Sequence, residues 1–250
     1  MSMEAAAQAE GAGRVGVAER TAEQTVPVSG AEAALSASSG GHGEVSHQFE
    51  DIEQQNESYI VGMWTFLATE VMFFGGLFLA YTVYRWKYPG VFYEGHRLLD
   101  LRLGLVNTTI LLTSSLFMAL AVHYAQLRHR RMQLLMLGLV LLCAFAFLGI
   151  KAVEYAAKFE HHLVPGAGFQ QAGPNAEQLQ LFFGLYFAMT GLHGVHVVVG
   201  ILVLGTILLL TAVRHPSVRD HIPIELAGLY WHFVDIVWIF LFPLFYLIPR

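Results

Sequence analysis

Residues 64–74 read Trp64-Thr65-Phe66-Leu67-Ala68-Thr69-Glu70-Val71-Met72-Phe73-Phe74, inside an apolar run from Ile60 to Tyr84. That run is long enough to cross a bilayer, whose hydrocarbon core takes about 20 helical residues. Glu70 stands at its middle. A carboxyl group at that depth costs about 3 kcal/mol by insertion scales, so it is seldom there without a partner or a function. Helical spacing puts Phe66, Glu70, Phe73 and Phe74 on one side of the segment. Two readings stand side by side: a proton-exchanging group, or a neutral carboxyl that hydrogen-bonds another helix and holds a bundle together.

Working outward, four further stretches qualify as spans. The five together are about 60–84, 103–126, 132–157, 179–212 and 226–248. The first ends at Arg85, Lys87 and Pro89, and the second at Arg128, Arg130 and Arg131. Tyr59, Tyr84, Trp86, Tyr88, Tyr230, Trp231 and Tyr246 cluster near span ends, as interfacial aromatic belts do. The expected fold is all-α, a polytopic transmembrane five-helix bundle. An odd number of spans puts the termini on opposite sides. The basic residues do not orient it. Arg128, Arg130, Arg131, Arg214 and Arg219 on one face balance Arg85, Lys87, Arg97, Arg102 and Lys158 on the other.

Composition agrees with this class. Hydrophobic residues make up 55% of the chain and charged residues 13%, against about a quarter charged in soluble domains. Residues 1–60 hold ten acids against Arg14 and Arg20, so the net charge of −5 belongs to that end and the remainder is near neutral. Residues 1–57 are rich in Ala, Gly, Ser, Glu and Gln, and are expected to form a disordered acidic tail; residues 58–250 form the membrane domain. No apolar core of signal-peptide length precedes the first span. A nucleic-acid partner, which needs a basic surface, is not expected. The one cysteine, Cys143, lies in an apolar run, which excludes a disulfide within the chain and a two-cysteine copper centre.

Several polar groups lie within the spans. Glu154 and Lys151 are neighbours on one helical face, placed to neutralise each other near the interface, although Lys151 could instead snorkel to the headgroups. Gly191-Leu192-His193-Gly194-Val195-His196 holds two imidazoles three residues apart, on adjoining faces. Without further ligands they read as structural rather than metal-binding. Asn107, with Thr108, Thr109, Thr113, Ser114 and Ser115, suits bonding across helices or back to its own helix. In Tyr230-Trp231-His232-Phe233-Val234-Asp235-Ile236-Val237-Trp238, His232 and Asp235 are one turn apart and are expected to pair. Trp231, Asp235, Trp238 and Phe242 form one stripe. Trp231, Trp238 and Phe242 are expected to meet another helix, a partner subunit or lipid. Asn107, Glu154, His193, His196, Glu225, His232 and Asp235 are taken as interhelical polar locks. No catalytic residue or metal ligand is expected in the chain.

In order along the chain, Thr69-Glu70-Val71-Met72-Phe73-Phe74, Asn107-Thr108, Glu154-Tyr155, the His193/His196 run, Glu225 and the 230–238 run resemble subunit III of the haem-copper oxidases. The resemblance spans residues 58–248 and is to the short form, which lacks the first two of seven helices. It implies an accessory, cofactor-free subunit of a proton-pumping aa3/caa3-type cytochrome c oxidase that reduces oxygen to water. Haem a groups and the CuA and CuB copper centres would then reside in partner subunits I and II. Cytochrome c would be the donor, and phospholipid would be bound. Glu70 matches the family's buried carboxyl. The implied setting is a bacterial cytoplasmic (inner) membrane, with the N-terminus in the cytoplasm and the C-terminus periplasmic or extracellular. Two other readings remain open. One is the homologous subunit of a quinol oxidase or a nitric-oxide-reductase-associated complex. The other is a small proton-coupled transporter, which no inverted repeat supports.

Overall fold

The computed structural model describes residues 52–166, 169, 174–215, 218 and 221–248, so the expected tail at 1–57 lies almost wholly outside the described residues. Six helices follow in order: α1 Ile52–Lys87, α2 Pro89–Arg97, α3 Leu101–Gln126, α4 Arg130–Glu160, α5 Ala176–Ala212 and α6 Ile222–Tyr246. All but α2 are long and apolar enough to cross a membrane. The chain is an all-α, multi-pass membrane protein.

The helices overrun the apolar stretches that announce them. Helix α1 begins at Ile52 rather than Ile60. Hydropathy marks where lipid ends, but the hydrogen-bond ladder continues through polar residues that favour helix. Gln55 Nε2 donates to Tyr59 Oη at 3.0 Å within that polar first part. Pro89 does not merely stop α1. It opens α2, where its missing N–H costs nothing. Helix α2 then packs Phe92 edge-on against Tyr81 and Phe182, at 5.2 Å from each ring.

Helix α6 is central. Its most apolar window is 61% buried, against 17% for α1. It packs against α3 and α5, and touches α1. A helix apolar all round belongs in the interior, and α6 carries Trp231, Trp238, Phe242, Phe245 and Tyr246 into the core. Close approach is made possible at Gly200 of α5, where a Cβ would lie 2.6 Å from the Trp231 ring. These burials correct two expectations. Trp231, Trp238 and Phe242 face this chain's own α3, α4 and α5, so they are not a lipid or subunit contact stripe. Tyr230, Trp231 and Tyr246 are buried and do not belong to an interfacial belt, whereas Tyr59, Tyr84 and Trp86 are exposed.

Candidate functional site

Two clusters of ionisable groups lie at membrane depth. The first joins α1 to α5. Glu70 Oε2 lies 3.1 Å from His196 Nε2. His196 Nδ1 lies 2.9 Å from the Leu192 carbonyl of its own helix. A carbonyl oxygen only accepts, so Nδ1 carries a hydrogen and donates. Nε2 and Oε2 therefore hold one proton between them, either as imidazolium and carboxylate or as imidazole and carboxylic acid. Tyr230 Oη donates to the His196 carbonyl at 3.0 Å, and Phe74 stands edge-on to the imidazole at 5.3 Å. The side chains of His196 and Glu70 are 15% and 19% exposed. The pair is thus flanked by aromatic rings and partly exposed at the surface of the bundle.

The second cluster joins α4, α5 and α6 and is closed. Lys151 Nζ donates to Glu154 Oε2 at 2.9 Å. Tyr186 Oη and Tyr246 Oη both donate to Glu154 Oε1, at 2.9 and 2.5 Å. Lys151 Nζ also donates to Tyr246 Oη at 2.9 Å and lies over the Trp238 ring at 4.7 Å. Lys151 and Glu154 are both buried, so the ammonium pairs with Glu154 inside the bundle and does not snorkel to the headgroups. A buried pair survives desolvation only when its remaining lone pairs and protons are satisfied, and here the two phenols and the indole face do that. Composition gave no hint of Tyr186 and Tyr246 as partners. The available signal was a phenol inside an apolar span, which must find a polar partner for its hydroxyl.

The remaining locks are rearranged. His232 Nδ1 meets Ser115 Oγ of α3 at 2.8 Å and does not pair with Asp235. Successive turns of α6 point the two side chains to different neighbours. Neither Asp235 oxygen has a hydrogen-bond partner among the described residues. The Ser115 hydroxyl, which meets His232, lies beside Asp235 but outside hydrogen-bond geometry. Asn107 and His193 are likewise buried without a hydrogen-bond partner among the described residues, so neither acts as a direct lock within this chain. His193 is held by rings instead, with Phe147 at 5.6 Å and Trp238 at 5.2 Å. The indoles add further hydrogen bonds between α3 and α6. Trp231 Nε1 donates to Ser114 Oγ and Trp238 Nε1 to Thr108 Oγ1, each at 3.1 Å. Thr108 passes its own hydrogen back to the Gly104 carbonyl at 2.8 Å. Glu225 Oε1 accepts from Gln126 Nε2 at 2.6 Å, tying the start of α6 to the end of α3.

Among the described residues no three His, Cys, Asp or Glu side chains converge as a metal ion would require. His196 is committed to Glu70 and Leu192, and His193 is wedged between rings.

A family model described as Cytochrome c oxidase subunit III matches residues 46–249. The chain belongs to the cytochrome c oxidase subunit III family. Membership of this haem-copper oxidase family implies other oxidase subunits beside it. Cytochrome c oxidase subunit 3 of Thermostichus vulcanus is 31% identical over 196 residues, covering 76% of this chain and 88% of that protein. Cytochrome bo(3) ubiquinol oxidase subunit 3 of Pseudomonas aeruginosa is 30% identical over 204 residues, covering 82% and 91%. Heme-copper oxidase subunit I+III of Aeropyrum pernix is 33% identical over 196 residues, covering 74% of this chain and 22% of that longer protein. Subunit III relatives are thus named for both cytochrome c and ubiquinol oxidases, and one is named as a combined subunit I+III.

Proposed function

We propose that this subunit III supports proton uptake by a proton-pumping cytochrome c oxidase of the aa3/caa3 type, through the Glu70–His196 pair. The pair carries the reading. It holds one exchangeable proton at membrane depth, between two helices, on the outer side of the bundle. A carboxyl and an imidazole that share a proton form a neutral pair; taking up a second proton leaves one positive charge and giving theirs away one negative charge, each spread over two hydrogen-bonded groups. Haem a and copper would be held by subunits I and II, which bind and reduce oxygen, while this chain braces the catalytic subunit, contributes no ligand and binds phospholipid. The Aeropyrum pernix protein, named as subunit I+III, supports a neighbouring subunit I. The N-terminus would face the cytoplasm, in a bacterial inner membrane, and the C-terminus the outside.

The test is Glu70→Gln in the assembled oxidase. Gln keeps the shape and a hydrogen bond to His196 but cannot ionise. The complex should assemble in wild-type yield while proton uptake slows or the number of turnovers before inactivation falls. Wild-type values for turnover, pumping and lifetime together would reduce the pair to a structural lock. A second reading, a quinol oxidase, is favoured by the Pseudomonas relative at nearly equal identity. Oxidation of reduced cytochrome c by the purified complex, with a CuA absorption band, supports the first. Activity with quinol alone supports the second.

A further inference from the structure

At the membrane face where α2 ends, α3 begins and α4 ends lies a concavity of about 860 Å³. Asp100, Arg102 and His161 are exposed at its mouth, and its lining also takes in two buried residues of α4, Lys158 and Glu154. Glu154 is therefore the hub of the network with Lys151, Tyr186 and Tyr246 and also part of the wall of a hollow that opens at the end of the bundle. Glu154 is 2% exposed and Lys158 6%, so solvent reaches the mouth while the two α4 side chains close the inner end.

Helical spacing aligns the charged groups. The buried residues of α4 recur three and four apart and include Phe147, Lys151, Glu154 and Lys158, which puts them on one face, each a turn beyond the last. Along that face the charges alternate: cation, acid, cation. Asp100 continues the alternation at the mouth, since its carboxylate and that of Glu154 both act on Lys158. Asp100 is fixed there by capping α3, its Oδ1 accepting from Arg102 N at 2.9 Å. From α5 and α6 the titratable groups that meet Glu154 are Tyr186 and Tyr246, whereas Tyr155 of α4 is turned to Thr190. Lys158 Nζ donates to the Leu98 carbonyl, which ties α4 to the turn after α2. That bond occupies one of three ammonium hydrogens. A tie to a carbonyl does not require a full charge, and a desolvated ammonium is costly. What the charge adds is a proton that can be moved.

We propose that the Glu154 network exchanges protons with the aqueous phase through this concavity, with Lys158 as the transferring group. In the uptake direction one N–H bond of the Lys158 ammonium breaks, and the proton forms an O–H bond on a Glu154 carboxylate oxygen. The Lys158 amine then takes a proton from solvent or from a protonated His161. The net change is one proton added to the network, its charge spread over hydrogen bonds to Lys151, Tyr186 and Tyr246. Release is the same transfer reversed. This site stands apart from the Glu70–His196 pair, which joins α1 to α5, and does not depend on it.

The test transfers the purified oxidase complex from water to heavy water. Exchange is followed by infrared spectroscopy on the phenol O–H bending band that Tyr246→Phe removes. Lys158→Met keeps the length of the side chain and removes the transferable proton. Lys158→Arg keeps the charge and a donor for Leu98, but a guanidinium does not deprotonate in a protein. Both variants should slow exchange at least about tenfold. Exchange at the wild-type rate in Lys158→Arg overturns the proposal, because charge and tie would then suffice. A wild-type network that keeps its hydrogens through days in heavy water overturns it as well. If neither Lys158 variant assembles, Ala157→Leu decides, since it fills the concavity and leaves Lys158 in place: slower exchange supports the route, and an unchanged rate overturns it.

Discussion

Replacing Glu154 by Leu should be among the most damaging single changes in the bundle. Glu154 accepts from Lys151 at 2.9 Å on one oxygen and from Tyr186 and Tyr246 at 2.9 and 2.5 Å on the other. Leucine is apolar and about one methylene larger, so the main loss is electrostatic, with a smaller packing strain beside it. Lys151, only 8% exposed, keeps two phenol oxygens and the Trp238 face but loses its counter-charge. Removing one member of a buried pair costs about 3–5 kcal/mol, because the other charge stays desolvated. The phenol bonds lost to the carboxylate are each worth about 1.5–3 kcal/mol, but they belong to the same network and do not add. Lys151 can also shed its proton, which caps the penalty, so about 3 kcal/mol is expected. That is about two decades in the folded-to-unfolded ratio. The assay is titration of the purified complex with SDS in mixed micelles, following release of this chain. The companion variant Lys151→Met/Glu154→Leu removes both charges and should recover most of the loss, since well-packed apolar side chains replace buried pairs at little or no cost. A single variant within about 1 kcal/mol of wild type, or a double variant no better than the single, would refute the reasoning.

Other expectations follow from single contacts. Gly200→Ala puts a methyl 2.6 Å from the Trp231 ring and should cost about 1–3 kcal/mol in the same SDS titration. Gly205→Ala, with nothing within 4 Å of its new Cβ, should be neutral or stabilising by up to about 1 kcal/mol. Asp235→Leu should leave the yield of intact complex unchanged or raised, since its carboxyl is buried without a hydrogen-bond partner and His232 bonds Ser115 instead; a sharp fall in yield would show that a partner subunit satisfies that acid. Trp231→Phe leaves Ser114 Oγ without its indole donor and should lower stability by about 1–3 kcal/mol, part from the bond and part from the lost ring; addition of Ser114→Ala should then cost little more, as both ends of the bond are gone.

Class and span number were legible because burial in lipid demands long apolar helices, and five such runs stand out from any reading frame. The family could also be read from the order of its motifs, and the residues around Glu70, His196 and Glu154 were picked out by the cost of placing polar groups in an apolar medium. Helix ends were less legible. Hydropathy is silent about Ile52–Tyr59 and about α2, whose existence rests on Pro89 starting a helix and Phe92 finding Phe182. The acidic tail expected at 1–57 lies almost wholly outside the described residues.

What the chain alone determined, then, was which groups are expensive: Glu70, Lys151, Glu154, His193, His196 and Asp235 all had to be accounted for. Who accounts for them was decided only by tertiary structure. Glu70 meets His196 across 126 positions of sequence, Glu154 meets Tyr186 and Tyr246, and His232 turns to Ser115 although Asp235 is one turn away. Helical periodicity states which face a side chain occupies, but the partner on that face is set by helix rotation and contact, which depend on where glycines such as Gly200 let two helices close. The α6 stripe shows the same limit. Its spacing announced a contact, and only the packing of α3, α4 and α5 around it showed that the contact is internal.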